Sequence, residues 1–228
     1  MKKISLFGDS LLRGVILDEN KAYRYSKSID WQNIEKQLRC ELDNRSRMGC
    51  TIGKGEAMLQ TYLQKTEPDV VVLEYGGNDC DFDWADVAER PLEAHLPFTE
   101  ITAFCNKLEE MITLLESKGI RPILMTLPPI NAEKYLNWIT RDGKDRNGIM
   151  EFLGDVERIY RFQERYSNAI EKIAHKRNVE LVDVRDAFLD QRDYVQLMCE
   201  DGIHPNPKGQ ELIVGAFLQH FGARAVGV

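Results

Sequence analysis

The sequence predicts an α/β fold, a three-layer α/β/α sandwich around a flavodoxin-like parallel sheet of about five strands in the order 2-1-3-4-5. Two observations lead to this prediction. Short apolar segments alternate with amphipathic helical patterns along the chain. These segments, above all residues 69–75, are almost continuously hydrophobic, as expected of strands that a parallel sheet buries on both faces.

The first half of the chain contains three of the predicted strands. Residues 3–7 form a short apolar strand that stops at Gly8. Residues 31–42 carry apolar side chains at three-to-four spacing, which predicts a helix with Asp30 as its N-cap. A charged second strand at 42–48 and a helix at 53–65 follow. Residues 69–75 form the clearest buried strand.

The second half repeats this alternation. A long amphipathic helix at 99–118 is closed by Gly119. A strand at 121–127 stops at two prolines, and a helix at 155–177 leads to a last strand at 179–184. The final helix, at 207–221, has proline at its start and Gly222 after it, the usual asymmetry of helix ends.

The whole chain, residues 1–228, is expected to form one domain, because no linker, repeat or low-complexity tract divides it. Two connections, 80–98 and 128–154, are unusually long loops for this architecture. They are rich in aromatic residues and are expected at the mouth of an active site. Trp84, Tyr135 and Trp138 are the candidate substrate-binding residues, and the alternative is a surface insertion with its own small cluster.

The composition narrows the class of protein. Apolar residues make up 43% of the chain and charged residues 29%, which is typical of a globular protein. The net charge of -7 argues against a nucleic-acid partner. No apolar stretch approaches the roughly 18 residues of a membrane span, and the run at 4–7 is too short for an export signal. The five cysteines include no CxxC pair, so free thiols and a cytoplasmic location are expected. Oligomeric state cannot be inferred from these features.

Several chemically suggestive residues are expected at one edge of the sheet. Ser10, Gly49 and Asn78 each follow one of the first three predicted strands. The carboxyl ends of parallel strands form the edge at which open α/β sheets bind ligands. The loop that contains Asp201 and His204 begins 17 residues after residue 184, which is long enough to return to that edge.

These residue types fit nucleophilic catalysis. A serine hydroxyl needs a base to take its proton, and His204 is the candidate base. Asp201, three residues earlier, would orient the imidazole. The candidate oxyanion donors are the backbone N–H groups of Ser10 and Gly49 and the side-chain amide of Asn78. The other histidines are His95, a rival base in a long loop, and His175 and His220, in helical segments.

Four motifs together resemble the blocks of the SGNH (GDSL) hydrolases, in the order of that family. They are Gly-Asp-Ser-Leu at 8–11, a glycine at 49, Gly-Gly-Asn-Asp at 76–79 and Asp-Gly-Ile-His at 201–204. The second block departs from the usual Asn-x-Gly-x-x-Gly, because Arg47 replaces the asparagine. The resemblance extends over most of the chain, from residue 8 to residue 204.

This resemblance implies a three-layer α/β/α fold and a serine esterase or acyl hydrolase that uses neither metal nor organic cofactor. Ser10 would be the nucleophile, His204 the base and Asp201 its orienting acid, with Gly49 and Asn78 completing the oxyanion hole. The expected partner is a small-molecule ester. The resemblance covers lipids, thioesters and acetylated sugars, and among these a short-chain ester or an O-acetylated carbohydrate is favoured.

Two alternatives remain open at this point. The first is a metal-dependent phosphoesterase whose divalent ion would be held by Asp9, Asn78, Asp79 and His204. The second is a non-catalytic ligand-binding module on a hydrolase scaffold.

Overall fold

Five parallel strands form the central sheet of the protein, whose computed structural model describes residues 1–222. Seven strands occur in this part of the chain: β1 (Lys2–Gly8), β2 (Val15–Leu17), β3 (Tyr23–Tyr25), β4 (Cys40–Asn44), β5 (Val70–Glu74), β6 (Arg121–Met125) and β7 (Glu180–Val182). The sheet order is β4-β1-β5-β6-β7, and each neighbouring pair is parallel. Counted along the chain, this is the predicted order 2-1-3-4-5, so the predicted fold class is confirmed.

Helices cover both faces of the sheet and complete the three layers. They are α1 (Ser10–Arg13), α2 (Trp31–Leu38), α3 (Ile52–Tyr62), α4 (Trp84–Glu89), α5 (Ile101–Ser117), α6 (Ala132–Thr140), α7 (Arg146–Leu153), α8 (Arg158–Arg177), α9 (Val184–Leu189) and α10 (Pro207–Gly222), with a 3₁₀ turn at Tyr194–Leu197. Helices α3, α5 and α8 pack on the face that carries Val71 and Leu73. Helices α2, α9 and α10 pack on the face that carries Val70 and Val72. Successive strand residues point to opposite faces, which explains why β5 is apolar at each of these positions.

The region between residues 31 and 48 differs from the prediction. The helix predicted at 31–42 ends at Leu38, because Arg39 adopts a left-handed conformation with φ of 52° and caps it. The strand predicted at 42–48 lies at Cys40–Asn44 instead. Leu42 continues the helical spacing of the sequence, but it pairs with Ile4 in the sheet. Tertiary pairing with β1 therefore overrides a local helical pattern.

The two long connections are not the irregular loops that were predicted. Segment 80–98 contains α4, and segment 128–154 contains α6 and α7. An aspartate or asparagine caps each helix, with its side chain accepting a backbone N–H: Asp83, Asn131 and Asp145. Their apolar faces form a separate cluster beside the sheet, built from residues such as Phe82, Trp84, Tyr135, Ile149 and Ile159.

A β2–β3 hairpin between α1 and α2 was not predicted, because its strands have only three residues each. The remaining predicted elements are present, with ends that differ from the prediction by up to three residues. Within residues 1–222, no helix is both long and apolar enough to cross a membrane.

Candidate active site

Ser10 lies directly after β1, at the start of α1. Asp9 caps this helix, because its Oδ1 accepts the backbone N–H of Leu11 at 2.9 Å. Gly8 brings β1 very close to β5: a Cβ there would lie 2.7 Å from the backbone oxygen of Glu74. No other residue type fits this position without moving a strand, so the Gly-Asp-Ser turn is fixed by the sheet beneath it.

Ser10, His204 and Asp201 form one continuous chain of hydrogen bonds. The Oγ of Ser10 lies 2.8 Å from Nε2 of His204, and Nδ1 of His204 lies 2.7 Å from Oδ2 of Asp201. Asp201 is fully buried, while Ser10 and His204 are 7% and 5% exposed. This arrangement allows the imidazole to accept the serine proton while the carboxylate holds its other nitrogen.

The loop that carries Asp201 and His204 is tied to the rest of the site by its backbone. The carbonyl of Gly202 accepts the N–H of Asn131 at 2.8 Å, and the N–H of Cys199 donates to the carbonyl of His204 at 2.8 Å. Oδ1 of Asp201 accepts the N–H groups of Ile203 and His204, each at 3.1 Å. Burial alone would raise the pKa of Asp201. The hydrogen bond and charge of His204, together with the two backbone N–H groups, instead lower this pKa below its ordinary value.

Asn78 and Gly49 lie beside Ser10 on the same cavity. The amide of Asn78 donates to Oδ2 of Asp9 at 2.8 Å, which leaves its second N–H, 3.5 Å from the carbonyl of Cys50, weakly bonded. Gly49 has φ of 68° and faces the cavity. The backbone N–H groups of Ser10 and Gly49 have no acceptor in the part of the chain described here. These are suitable donors for an oxyanion.

A buried acid that sequence reasoning missed lies beneath the serine turn. Glu74 is fully buried at the end of β5, and its Oε2 accepts the N–H of Asp9 at 3.1 Å. Its Oε1 has no hydrogen-bond partner among residues 1–222. Burial and the neighbouring charge of Asp9 raise the pKa of Glu74 well above its usual value. The available signal was a single acidic residue closing the otherwise apolar strand at 70–74.

The serine opens onto a cavity of about 560 Å³. The three predicted substrate-binding residues, Trp84, Tyr135 and Trp138, line it and are each 7% exposed. Its remaining aromatic lining consists of Tyr23, Phe82, Phe98 and Phe162. Both long connections therefore contribute to the cavity wall.

Tyr23, on the β2–β3 hairpin, also lines the cavity and was not predicted from the sequence. Its ring centroid lies 5.0 Å from that of His204 and 6.2 Å from that of Trp138. Burial and the charge of Asp201 raise the pKa of the Tyr23 hydroxyl, so the side chain stays neutral. No sequence motif marks this residue, because its position depends on how the hairpin packs against the loop at 199–204.

The other histidines and Cys50 do not take part in the Ser10–His204–Asp201 hydrogen-bond chain. His95 bonds to Asp86 at 3.1 Å and to the carbonyl of Arg90, so it does not replace His204. His220 lies 3.1 Å from Glu180. Burial raises the pKa of the Cys50 thiol to about 11, consistent with a packing role. Within residues 1–222, no group of three or more His, Cys, Asp or Glu side chains is arranged to hold a metal ion.

Comparison with curated proteins finds relatives that are longer than this chain. It is 23% identical over 153 residues to the GDSL esterase/lipase WDL1 of Oryza sativa subsp. japonica, covering 67% of this chain and 53% of that protein. It is 26% identical over 153 residues to a GDSL esterase/lipase of Arabidopsis thaliana, covering 67% and 44%. The chain thus spans about half the length of these relatives.

Solved structures share the fold over almost the full chain. The lipase/acylhydrolase from Enterococcus faecalis superposes with a TM-score of 0.68 at 20% identity, covering 98% of this chain and 97% of that one. A catalytic mutant of Axe2, an acetylxylan esterase from Geobacillus stearothermophilus, has a TM-score of 0.66 at 18% identity, covering 97% and 94%.

The family model for the GDSL-like lipase/acylhydrolase family matches residues 6–212. This match includes the serine turn, the glycine and asparagine segments and the aspartate–histidine loop. The chain therefore belongs to the GDSL-like lipase/acylhydrolase family, a family of ester-cleaving enzymes.

Proposed function

We propose that the protein hydrolyses a carboxylic ester through an acyl-serine intermediate on Ser10. The observation that carries this proposal is the hydrogen-bonded chain from Oγ of Ser10 through His204 to Asp201, with distances of 2.8 and 2.7 Å. The serine end of this hydrogen-bonded chain lies at the wall of a cavity large enough for a small substrate.

The proposed reaction has two halves. The serine oxygen attacks the ester carbonyl carbon while Nε2 of His204 takes the hydroxyl proton. Collapse of the tetrahedral intermediate breaks the carbon–oxygen bond, and His204 returns the proton to the departing alcohol. Water then attacks the acyl-serine in the same way, releasing the acid and restoring the hydroxyl. Asp201 stabilises the imidazolium in each half.

Three donors are proposed to stabilise the oxyanion. They are the N–H groups of Ser10 and Gly49, which have no acceptor within residues 1–222, and the side-chain amide of Asn78. Asp9 supports this arrangement, because its second carboxylate oxygen holds the amide of Asn78. Losing one donor of this kind typically lowers turnover by about 10²–10³-fold.

The proposed substrate is a short-chain ester, in particular an O-acetylated carbohydrate. The cavity wall combines seven aromatic residues with ten polar or charged ones, which suits a compact ligand with one apolar face and several hydroxyl groups. The acetylxylan esterase with the same fold agrees with this choice of substrate.

Hydrolysis of p-nitrophenyl acetate by wild-type protein and by Ser10→Ala tests this proposal. Loss of the nucleophile is expected to lower kcat by about 10⁴–10⁶-fold. Ser28→Ala, at an exposed position outside the cavity, is the matched control and should match the wild type. Wild-type turnover by Ser10→Ala, or no turnover of any ester by the wild type, would refute the proposal.

A further inference from the structure

Asp81 is a carboxylate in the cavity wall that the proposed hydrolysis does not use. Its Oδ1 accepts a hydrogen bond from Nε1 of Trp84 at 2.7 Å, and its Oδ2 accepts one from the hydroxyl of Tyr135 at 2.7 Å. The backbone carbonyl of Asp81 accepts the N–H of Phe98 at 2.9 Å, which fixes the main chain. The side chain is therefore held rigidly between α4 and α6.

The carboxylate retains acceptor capacity that residues 1–222 do not fill. An ionised carboxylate offers about four lone-pair sites. Within residues 1–222, two of these are used, by Nε1 of Trp84 and the hydroxyl of Tyr135. Asp81 is partly exposed and lies among the residues that line the cavity. Burial raises its pKa against the opposing effect of these donors, so a further donor would stabilise the charged form.

The proposed carbohydrate ester would place a neutral donor in that position. Arg141 and Lys144 line the same cavity, but so do Asp83 and Asp142, and Arg141 lies 3.5 Å from Asp142. The charges of the wall therefore do not select between a cationic and a neutral ligand. A sugar or polyol ester carries several hydroxyl groups, and any of them can donate a hydrogen bond to the carboxylate without adding a charge.

We infer that Asp81 binds the alcohol part of the ester and accepts a hydrogen bond from one of its hydroxyl groups. This inference rests on the proposed ester hydrolysis and makes the alcohol part a sugar or another polyol. Asp81 would thus determine specificity: it distinguishes a hydroxylated ester from one of equal acyl length whose alcohol has no hydroxyl.

The test compares two acetyl esters in wild-type protein and in Asp81→Asn. The measured quantity is the ratio of kcat/KM for a methyl O-acetyl-xyloside to kcat/KM for p-nitrophenyl acetate. Loss of a hydrogen bond to a charged group should lower this ratio by about 10- to 100-fold. Asp190→Asn removes the same charge from an exposed position outside the cavity and should keep the wild-type ratio.

A set of deoxy substrates provides a second test that does not depend on how well Asp81→Asn folds. In wild-type protein, removing one particular hydroxyl from the acetylated xyloside should lower kcat/KM by about 10-fold or more. If Asp81→Asn folds, removing the same hydroxyl from the substrate should hardly change its kcat/KM, because the carboxylate that accepts the hydrogen bond is absent. Tyr135→Phe, which leaves the carboxylate in place, should retain the deoxy penalty.

Four results would overturn the inference. An equal loss on both esters in Asp81→Asn would make the residue only a structural tie between α4 and α6. Equal turnover of all deoxy substrates, or no turnover of any acetylated sugar, would exclude a hydroxyl contact. If acetylcholine is assayed as a third ester and Asp81→Asn lowers kcat/KM for it alone, the carboxylate would be assigned to a cation instead. In each case hydrolysis of p-nitrophenyl acetate by wild-type protein would leave the proposed esterase standing.

Discussion

Two buried carboxylates at the site have pKa values shifted in opposite directions, because they accept hydrogen bonds from different donors. Asp201 accepts hydrogen bonds from the imidazole of His204 and from two backbone N–H groups, and these bonds favour its ionised form. Glu74 receives the N–H of Asp9, but its second oxygen has no partner in the described chain, which favours its protonated form. The pKa of the acid beside the imidazole is therefore lowered, while the pKa of the acid beneath the serine turn is raised.

Asp79 makes the stability of the protein depend on pH. Burial raises its pKa to about 6 although both of its oxygens accept the N–H of Ile52. Between pH 3.8 and about 6 the folded state therefore holds a proton that the unfolded state has lost. The stability from this group is complete below pH 3.8 and is lost as pH rises through 6. By linkage, that loss amounts to about 3 kcal/mol.

Asp79→Asn should remove this contribution. Denaturant unfolding at pH 4 and pH 7 is expected to show a smaller fall in the free energy of unfolding for the variant than for the wild type, by about 2 kcal/mol, since part of the contribution is already lost at pH 4. Asp142→Asn, at an exposed position, is the control and should reproduce the wild-type fall. If the free energy of unfolding of Asp79→Asn showed the wild-type pH dependence, burial would not raise the pKa of Asp79 and this explanation would be wrong.

At the scale of elements, the loop at 199–204 is held from two sides. The start of α6 binds it through Asn131, and the β2–β3 hairpin binds it on the other side. On that side the N–H of Leu17 donates to Sγ of Cys199 at 3.4 Å, and Lys21 pairs with Glu200 at 2.6 Å. The position of the imidazole therefore depends on elements distant in sequence.

Gly202→Ala should displace this loop. Gly202 has φ of 74°, and a Cβ there would lie 2.6 Å from the backbone oxygen of Asn131. Strain and crowding together should lower the free energy of unfolding by about 2–4 kcal/mol and lower kcat. Gly119→Ala has a similar φ of 71° but meets nothing within 4 Å, so it should cost only about 1 kcal/mol and leave kcat unchanged. Equal costs for the two variants would contradict this account.

Tyr23→Ala should expose one face of the imidazole and loosen its position. The expected result is a fall in kcat of about 10-fold, with a smaller change in KM, since a misplaced catalytic group mainly affects the transition state. Tyr25, on the same strand, is 64% exposed and contacts Arg13 rather than the site. Tyr25→Ala is therefore the matched control, and equal effects of both variants would indicate a general role of the hairpin instead.

At the scale of the whole molecule, the sheet explains both what sequence reasoning found and what it missed. The strands of the sheet are mostly apolar, so the fold and its order could be predicted, and the residues after them could be assigned to one edge. Tyr23 and Glu74 could not be assigned to the site in this way. The position of Tyr23 depends on a hairpin of three-residue strands, and the role of Glu74 depends on the contact between β1 and β5. The helix boundary at Leu38 was missed because sheet pairing decides it.

The central claim, that Ser10 is a nucleophile activated by His204, is tested most directly by covalent labelling. A fluorophosphonate should add one phosphonyl group to the wild-type protein, and peptide mapping by mass spectrometry should place it on Ser10. Asp201→Asn should react far more slowly, because the imidazole loses its orienting carboxylate, and Ser10→Ala should not react. Labelling of another residue, or wild-type labelling of Ser10→Ala, would contradict the account.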